Sequence, residues 1–457
     1  MPTKRHQILT KTAEAPAVML GRAVLMTQVV RDASLNNKVI RKTKDYWLML
    51  GPGLTTGASD DDPSGIATYS QTGAQFGFKL LWLAPWTLPL MAVVQEMCAR
   101  IGLVTGRGLA GNIRIFYSKR VLYVCTVLLF AANSFNIGAD LGAMAKAVQL
   151  LNPHLNFGWL VVGFTIFSLM LQIFTPYVRY AKYLKWLALI LLSYILSAVL
   201  AHINWGQAVH SALVPHISLN KEELILIAAI LGTTISPYLF FWQTSQEVEE
   251  QVLEGRLTLA ERRHTEPSEV RSMRIDVWTG MFLSNLVMFF IIAAAGGILF
   301  PHGITHIQTA AQAAEALRPF AGNATYFLFA IGIIGTGLLA IPVLAGSSSY
   351  ALSESLRWKE GLYRDLGQAK AFYGIIIISM LVGLGLNFLG IDPIKALIYS
   401  AVANAIVAPV ILFCIVRISS SKKFMGSWAN KKYVTAIGWL VFALMLASAV
   451  AAIFSFF

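Results

Sequence analysis

Hydrophobic runs of membrane-spanning length, separated by short polar stretches, fill the chain from residue 46 to its end. A helix needs ~20 apolar residues to cross a bilayer core of ~30 Å. Runs at 46–78, 79–104, 119–151, 158–177, 182–202, 222–250, 275–300, 324–352, 369–390, 393–416 and 433–456 predict about 11 transmembrane helices. Two of them are interrupted. In the first, Asp60, Asp61 and Asp62 are followed by Pro63 and Gly65; in the sixth, Gly232, Thr233, Thr234 and Ile235 precede Pro237. Proline removes a backbone donor and glycine weakens a helix, so both helices are expected to break at mid-depth. One break alone reads as a proline kink, tolerated in membranes. Two breaks five spans apart predict a 5+5 inverted repeat with a site between the repeats.

That patterning makes the acids informative. A carboxylate in a span costs at least ~2.5–3.5 kcal/mol and faces a ligand or a water-filled cavity. Asp62, directly beside the break, is expected to be functional and not structural. Asp60 and Asp61 each have two readings: contact with the ion from outside its first layer of oxygens, or capping of the second half-helix. Unwinding should also free backbone carbonyls near Ser59 and Thr233 to face a cation.

Composition agrees with the pattern. Of 457 residues, 56% are hydrophobic and only 13% charged, which excludes an ordinary soluble domain. The net charge of +13 does not imply a nucleic-acid partner, because the basic residues lie between the apolar runs. They concentrate in alternate loops, such as Arg107, Arg114, Lys119 and Arg120, then Arg256, Arg262, Arg263, Arg271 and Arg274. Residues 1–45, also basic, are expected to form a cytoplasmic tail. The transporter domain is then 46–457, with repeat one at 46–202, repeat two at 222–416 and an extra helix at 433–456. Eleven spans place the C-terminus outside a cell (plasma) membrane. Cys98, Cys125 and Cys414 lie in apolar runs without metal-ligand spacing and are expected in the core. No HExxH or nucleophile motif is present, so neither an enzyme nor a resident cofactor is expected. Glu96 and Arg100, one turn apart, are expected to pair. Gln243 and Glu247 could line an exit path from the second break. Nothing in the sequence sets the oligomeric state, and a monomer suffices.

Gly51-Pro52, Asp62-Pro63-Ser64-Gly65-Ile66-Ala67-Thr68 and Gln71 through Trp82 resemble the first broken helix of the NRAMP (solute carrier family 11) divalent-metal transporters. Gln95 through Arg107 is similar to that family's second span, and Gly232-Thr-Thr-Ile-Ser236-Pro237-Tyr238 to its sixth. The resemblance implies a LeuT-type fold and divalent-cation transport by alternating access. It also implies a cation site drawn from Asp62, Asp61, Asp60, Ser59, Ser64, Gly65, Thr233, Ser236, Tyr238 and Asn404. Asp62 keeps the family's metal-binding acid. The family's Asn partner becomes Gly65, its Met becomes Ser236 and its His becomes Tyr238. The span-three acids thought to carry protons become Asn136 and Ala139, with Asp140 one position off.

A thioether favours softer ions, and Ser236 supplies none. Loss of the Asn side chain at Gly65 should widen the site and leave hard oxygens. Such a site suits Mg²⁺, which gives up water reluctantly. The pattern therefore looks like the NRAMP-related magnesium transporters of prokaryotes, which implies Mg²⁺ (also Mn²⁺) without proton coupling. The alternatives are a proton-coupled Mn²⁺/Fe²⁺ transporter and an amino-acid transporter of the same fold, the latter disfavoured because three acids would repel a carboxylate substrate.

Overall fold

The computed structural model describes residues 51–175, 192–200, 203–218, 220–307 and 309–456, and every regular element among them is helical. The expected tail at 1–45 and most of the expected span at 182–202 lie outside the described residues. The longer helices are α1 (Pro52–Asp60), α2 (Pro63–Phe76), α3 (Leu83–Thr105), α4 (Leu109–Phe116), α5 (Lys119–Leu151), α6 (Phe157–Phe174), α7 (Leu192–Leu200) and α8 (Trp205–Leu213). They continue with α9 (Lys221–Thr234), α10 (Pro237–Leu253), α11 (Pro267–Ile298), α12 (Thr325–Leu356), α13 (Lys370–Leu386), α14 (Pro393–Ser419) and α15 (Lys432–Phe456).

Among the described residues, eight spans are long and apolar enough to cross a membrane: α3, α5, α6, α9 with α10, α11, α12, α14 and α15. The pair α1 and α2, the helix α7 and the 17-residue α13 occupy the other three expected positions. Large apolar side chains such as Trp159 and Phe174 on α6 and Phe454 on α15 are exposed, as lipid-facing surface requires. Cys98, Cys125 and Cys414 are buried free thiols.

Both expected breaks are present. Each second half-helix begins with its proline at the first helical position, where the missing N–H costs nothing. The half-helix α1 packs on α10, and α2 on α9, so the four segments of the two broken spans meet. Both α1 and α2 also lie along α11. Glycine makes that approach possible: a Cβ on Gly57 would collide with the Gly280 backbone, and one on Gly53 would lie 2.6 Å from Val277 N.

The two ends of the bundle are tied differently. At one end Lys79 pairs with Glu223 at 2.6 Å, and Gln75 bonds Glu222, joining α2 to α9. At the other, Glu96 accepts from Arg100 at 3.3 Å, Arg274 at 2.9 Å and Trp278 at 2.9 Å. The expected Glu96–Arg100 pair is thus part of a larger cluster between α3 and α11.

Candidate functional site

The break between α1 and α2 places Asp62 as the N-cap of α2. Its Oδ1 accepts from Gly65 N at 2.7 Å and Ser64 Oγ at 2.6 Å, and its Oδ2 accepts from Asn136 Nδ2 on α5 at 2.9 Å. The capping expected of Asp60 or Asp61 therefore belongs to Asp62. The cap oxygen must reach the third N–H of its helix, and only the residue directly before Pro63 can do so.

Asp60 and Asp61 are left far less satisfied. Asp60 Oδ2 accepts from Ser284 Oγ of α11 at 2.6 Å. Asp60 Oδ1 and both oxygens of Asp61 have no hydrogen-bond partner within the protein. All three acids are at most 1% exposed, and none takes part in a salt bridge among the described residues. Uncompensated buried carboxylates are costly, several kcal/mol each even after relaxation. A cation is the natural compensation.

The second break supplies neutral oxygens. Ser236 Oγ donates to the carbonyls of Gly232 and Thr233, both at 2.6 Å, which leaves its lone pairs available. Tyr238 Oη donates to the Ser59 carbonyl at 2.9 Å, linking the breaks directly. The freed carbonyls at Ser59 and Thr233 are thus partly taken, each with a second lone pair left.

The width expected beside Gly65 is absent. A Cβ there would lie 3.2 Å from both Asp60 O and Thr233 Oγ1, because the last carbonyl of α1 and the end of α9 both approach the first turn of α2. Asn404 of α14 is fully buried, next to Ala401 and Ala405, which pack on Gly232. Neither of its amide atoms has a hydrogen-bond partner.

The structure thus joins Asp62, Ser64, Gly65 and Thr233, Asp60 with its carbonyl against Gly65, and Ser59 with Tyr238. Two residues not anticipated as contacts are Asn136 and Ser284. Asn136 was legible only as a lost acid, and Ser284 had no signal within its apolar run. Asp140, one helical turn beyond Asn136, is buried with neither oxygen partnered. On α3 and α10, both side-chain amide atoms of Gln95 and Gln246 and the Oε1 of Gln243 are also buried without partners, and Gln243 Nε2 donates to Glu247 at 2.9 Å.

Among the described residues no three His, Cys, Asp or Glu side chains form a metal-binding group. A cation at the breaks would be held by one or two carboxylates, neutral oxygens and water.

Comparison with known proteins gives a consistent result. The sequence model of the Nramp family (natural resistance-associated macrophage protein-like) matches residues 53–455. The divalent metal cation transporter MntH of Klebsiella pneumoniae is 24% identical over 413 residues, covering 90% of this chain and 94% of that protein. MntH of Clostridium acetobutylicum is 23% identical over 425 residues, covering 90% and 92%. The Eremococcus coleocola manganese transporter superposes with a TM-score of 0.69 at 19% identity, covering 90% of this chain and 87% of that one. Mhp1, a nucleobase-cation-symport-1 family transporter, superposes with a TM-score of 0.55 at 14% identity, covering 89% and 91%. With two broken spans meeting at a carboxylate cluster and a family match over nearly its whole described length, this chain belongs to the Nramp family.

Proposed function

We propose that this protein carries divalent metal cations across a cell membrane by alternating access, with Mg²⁺ as the preferred ion, Mn²⁺ also accepted, and no proton coupling. Its N-terminus is cytoplasmic and its C-terminus outside. The observation that carries the reading is the set of three unpartnered, buried carboxylate oxygens on Asp60 and Asp61 beside the firmly held Asp62. The curated relatives are named as divalent metal cation transporters and the matched structure as a manganese transporter, which supports the cargo class. The preference for Mg²⁺ rests on the donors. They are carboxylate, hydroxyl, amide and carbonyl oxygens with no thioether or imidazole, and few enough to leave water on the ion.

Uptake into proteoliposomes of Mg²⁺, Mn²⁺ and Ca²⁺, with and without a pH gradient, tests this reading. Mg²⁺ should enter at a rate independent of the gradient. Uptake of Mn²⁺ with exclusion of millimolar Mg²⁺ would show the preference to be wrong. Asp60→Asn and Asp61→Asn should each slow Mg²⁺ uptake about three- to tenfold, because contacts made through ordered water are individually weaker than a direct ligand. Rates equal to wild type in both variants would remove these acids from the site.

One observation favours a second reading, a proton-coupled Mn²⁺/Fe²⁺ transporter. The unpartnered Asp140 carboxylate lies one turn from the amide that holds Asp62. Under the proposal, Asp140→Asn leaves Mg²⁺ uptake within about twofold, as expected for an acid that is no ligand. A metal-dependent proton flux that disappears in this variant would establish the second reading instead.

A further inference from the structure

A cavity of about 210 Å³ lies where the turn between α3 and α4 meets α10, the segment after α10 and the segment after α12. Arg107, Arg114, Arg262 and Arg357 line it. Among the described residues no carboxylate is within ion-pair distance of any of these four guanidinium groups.

The acids nearby are committed elsewhere. Glu354 accepts the Gly111 N–H at 2.7 Å and the Ser245 hydroxyl at 3.4 Å. It sits so close to the turn that a Cβ on Gly108 would collide with its carboxylate. Glu249 accepts the N–H groups of Leu362 at 2.8 Å and Tyr363 at 3.2 Å, and the Tyr350 hydroxyl. Glu360 is pushed up to about 9 by burial and then by the charge of Glu354. Burial thus favours its neutral form, which weakens what it can offer the arginines. Burial, followed by repulsion from Arg263, Arg114 and Arg262, pushes Arg107 below its usual range. Arg107 Nε, Arg262 Nε and Glu360 Oε2 are shielded from solvent and have no hydrogen-bond partner.

Guanidinium donors converging on a cavity, with no carboxylate at ion-pair distance, match the geometry of a tetrahedral oxyanion. We infer that this cavity binds a phosphate-bearing anion, gripped by Arg107 and Arg262 and completed by Arg114 and Arg357. Arg114 spends one Nη1 hydrogen on the Glu354 carbonyl at 2.6 Å and keeps its other donors. The anion could be a soluble phosphate compound or the headgroup of an anionic phospholipid, since the site lies at the end of the spanning helices. The inference does not depend on which cation is carried.

Full-length protein in nanodiscs of zwitterionic lipid, titrated with pyrophosphate by calorimetry, tests the soluble source. A parallel sample containing phosphatidic acid, read by thermal unfolding, tests the lipid source. Saturable binding in the first arm, or an upward shift of the unfolding temperature in the second, supports the site. Arg107→Gln with Arg262→Gln should weaken that response about tenfold or more, as two charge-assisted forks are lost. Arg271→Gln, an exposed charge outside the cavity lining, should leave it unchanged. If the double variant does not fold, Arg357→Gln replaces it, because that exposed side chain can be changed without disturbing packing. Its expected weakening is about threefold. The inference is overturned by no response in either arm, by equal responses in wild type and the folded cavity variant, or by an equal loss in Arg271→Gln.

Discussion

Asp62→Ala should abolish divalent-cation uptake, lowering initial rates by about two orders of magnitude, the equivalent of ~3 kcal/mol. The carboxylate is the best organised acid at the breaks, held by Ser64, Gly65 N and Asn136. Those three contacts fix its position before any ion arrives, so no other side chain can take its place. Alanine also removes the N-cap of α2, which costs about 1 kcal/mol by itself. Asp62→Asn separates the two effects. Asparagine caps as well as aspartate but carries no charge, so this variant should keep the wild-type unfolding temperature and still fail to transport. Wild-type rates in either variant would sink the assignment of Asp62 as the central ligand.

The second large effect is on selectivity. Gly65→Asn with Ser236→Met should lower Mg²⁺ uptake about tenfold or more while Mn²⁺ or Cd²⁺ binding holds or rises, because thioether sulfur favours softer ions. The packing sharpens this expectation. A side chain at position 65 meets Asp60 O and Thr233 Oγ1 at once, so it presses on the last carbonyl of α1 and takes space between the two breaks. Replacing Ser236 also removes the hydroxyl that bridges the Gly232 and Thr233 carbonyls. Ser236→Ala is the control, since it loses the bridge without adding bulk. If the double variant carries Mg²⁺ as fast as wild type, the selectivity argument fails; if Ser236→Ala alone reproduces the Mg²⁺ loss, the bridge and not the sulfur is responsible.

Much of the architecture was legible because membranes simplify the code. A run of apolar residues sets a span, and Asp62-Pro63 and Ser236-Pro237 mark where helices must restart. Length alone becomes ambiguous near the lower limit for a span, about 17 residues: α13, at 17 residues, is a short helix packed between α5 and α12. Within the site, the sequence identified the acids but not their division of labour. Asp62 was legible as special through its position before Pro63, yet its capping role was assigned to its neighbours. The partners Asn136 and Ser284 lie 74 and 224 residues from the acids they touch. No local pattern announces contacts of that separation. The space beside Gly65 was misjudged for a related reason: a missing side chain says nothing about how closely the neighbouring backbone has moved in.

The contact between α1 and α11 has a mechanical consequence. Asp276 accepts the N–H groups of Gly53 and Leu54 at 2.6 and 3.1 Å, Gly280 abuts Gly57, and Ser284 holds Asp60. Positions 276, 280 and 284 are four apart, so they form one stripe along α11, and α1 is fastened to it at three points like a zip. The last fastener is also one of the candidate ion-binding acids. Because Ser284 holds only Oδ2 and Oδ1 is free, the acid that ends α1 is tied to α11 through one oxygen while the other still faces the breaks, and the Asp276 clasp anchors the far end of α1.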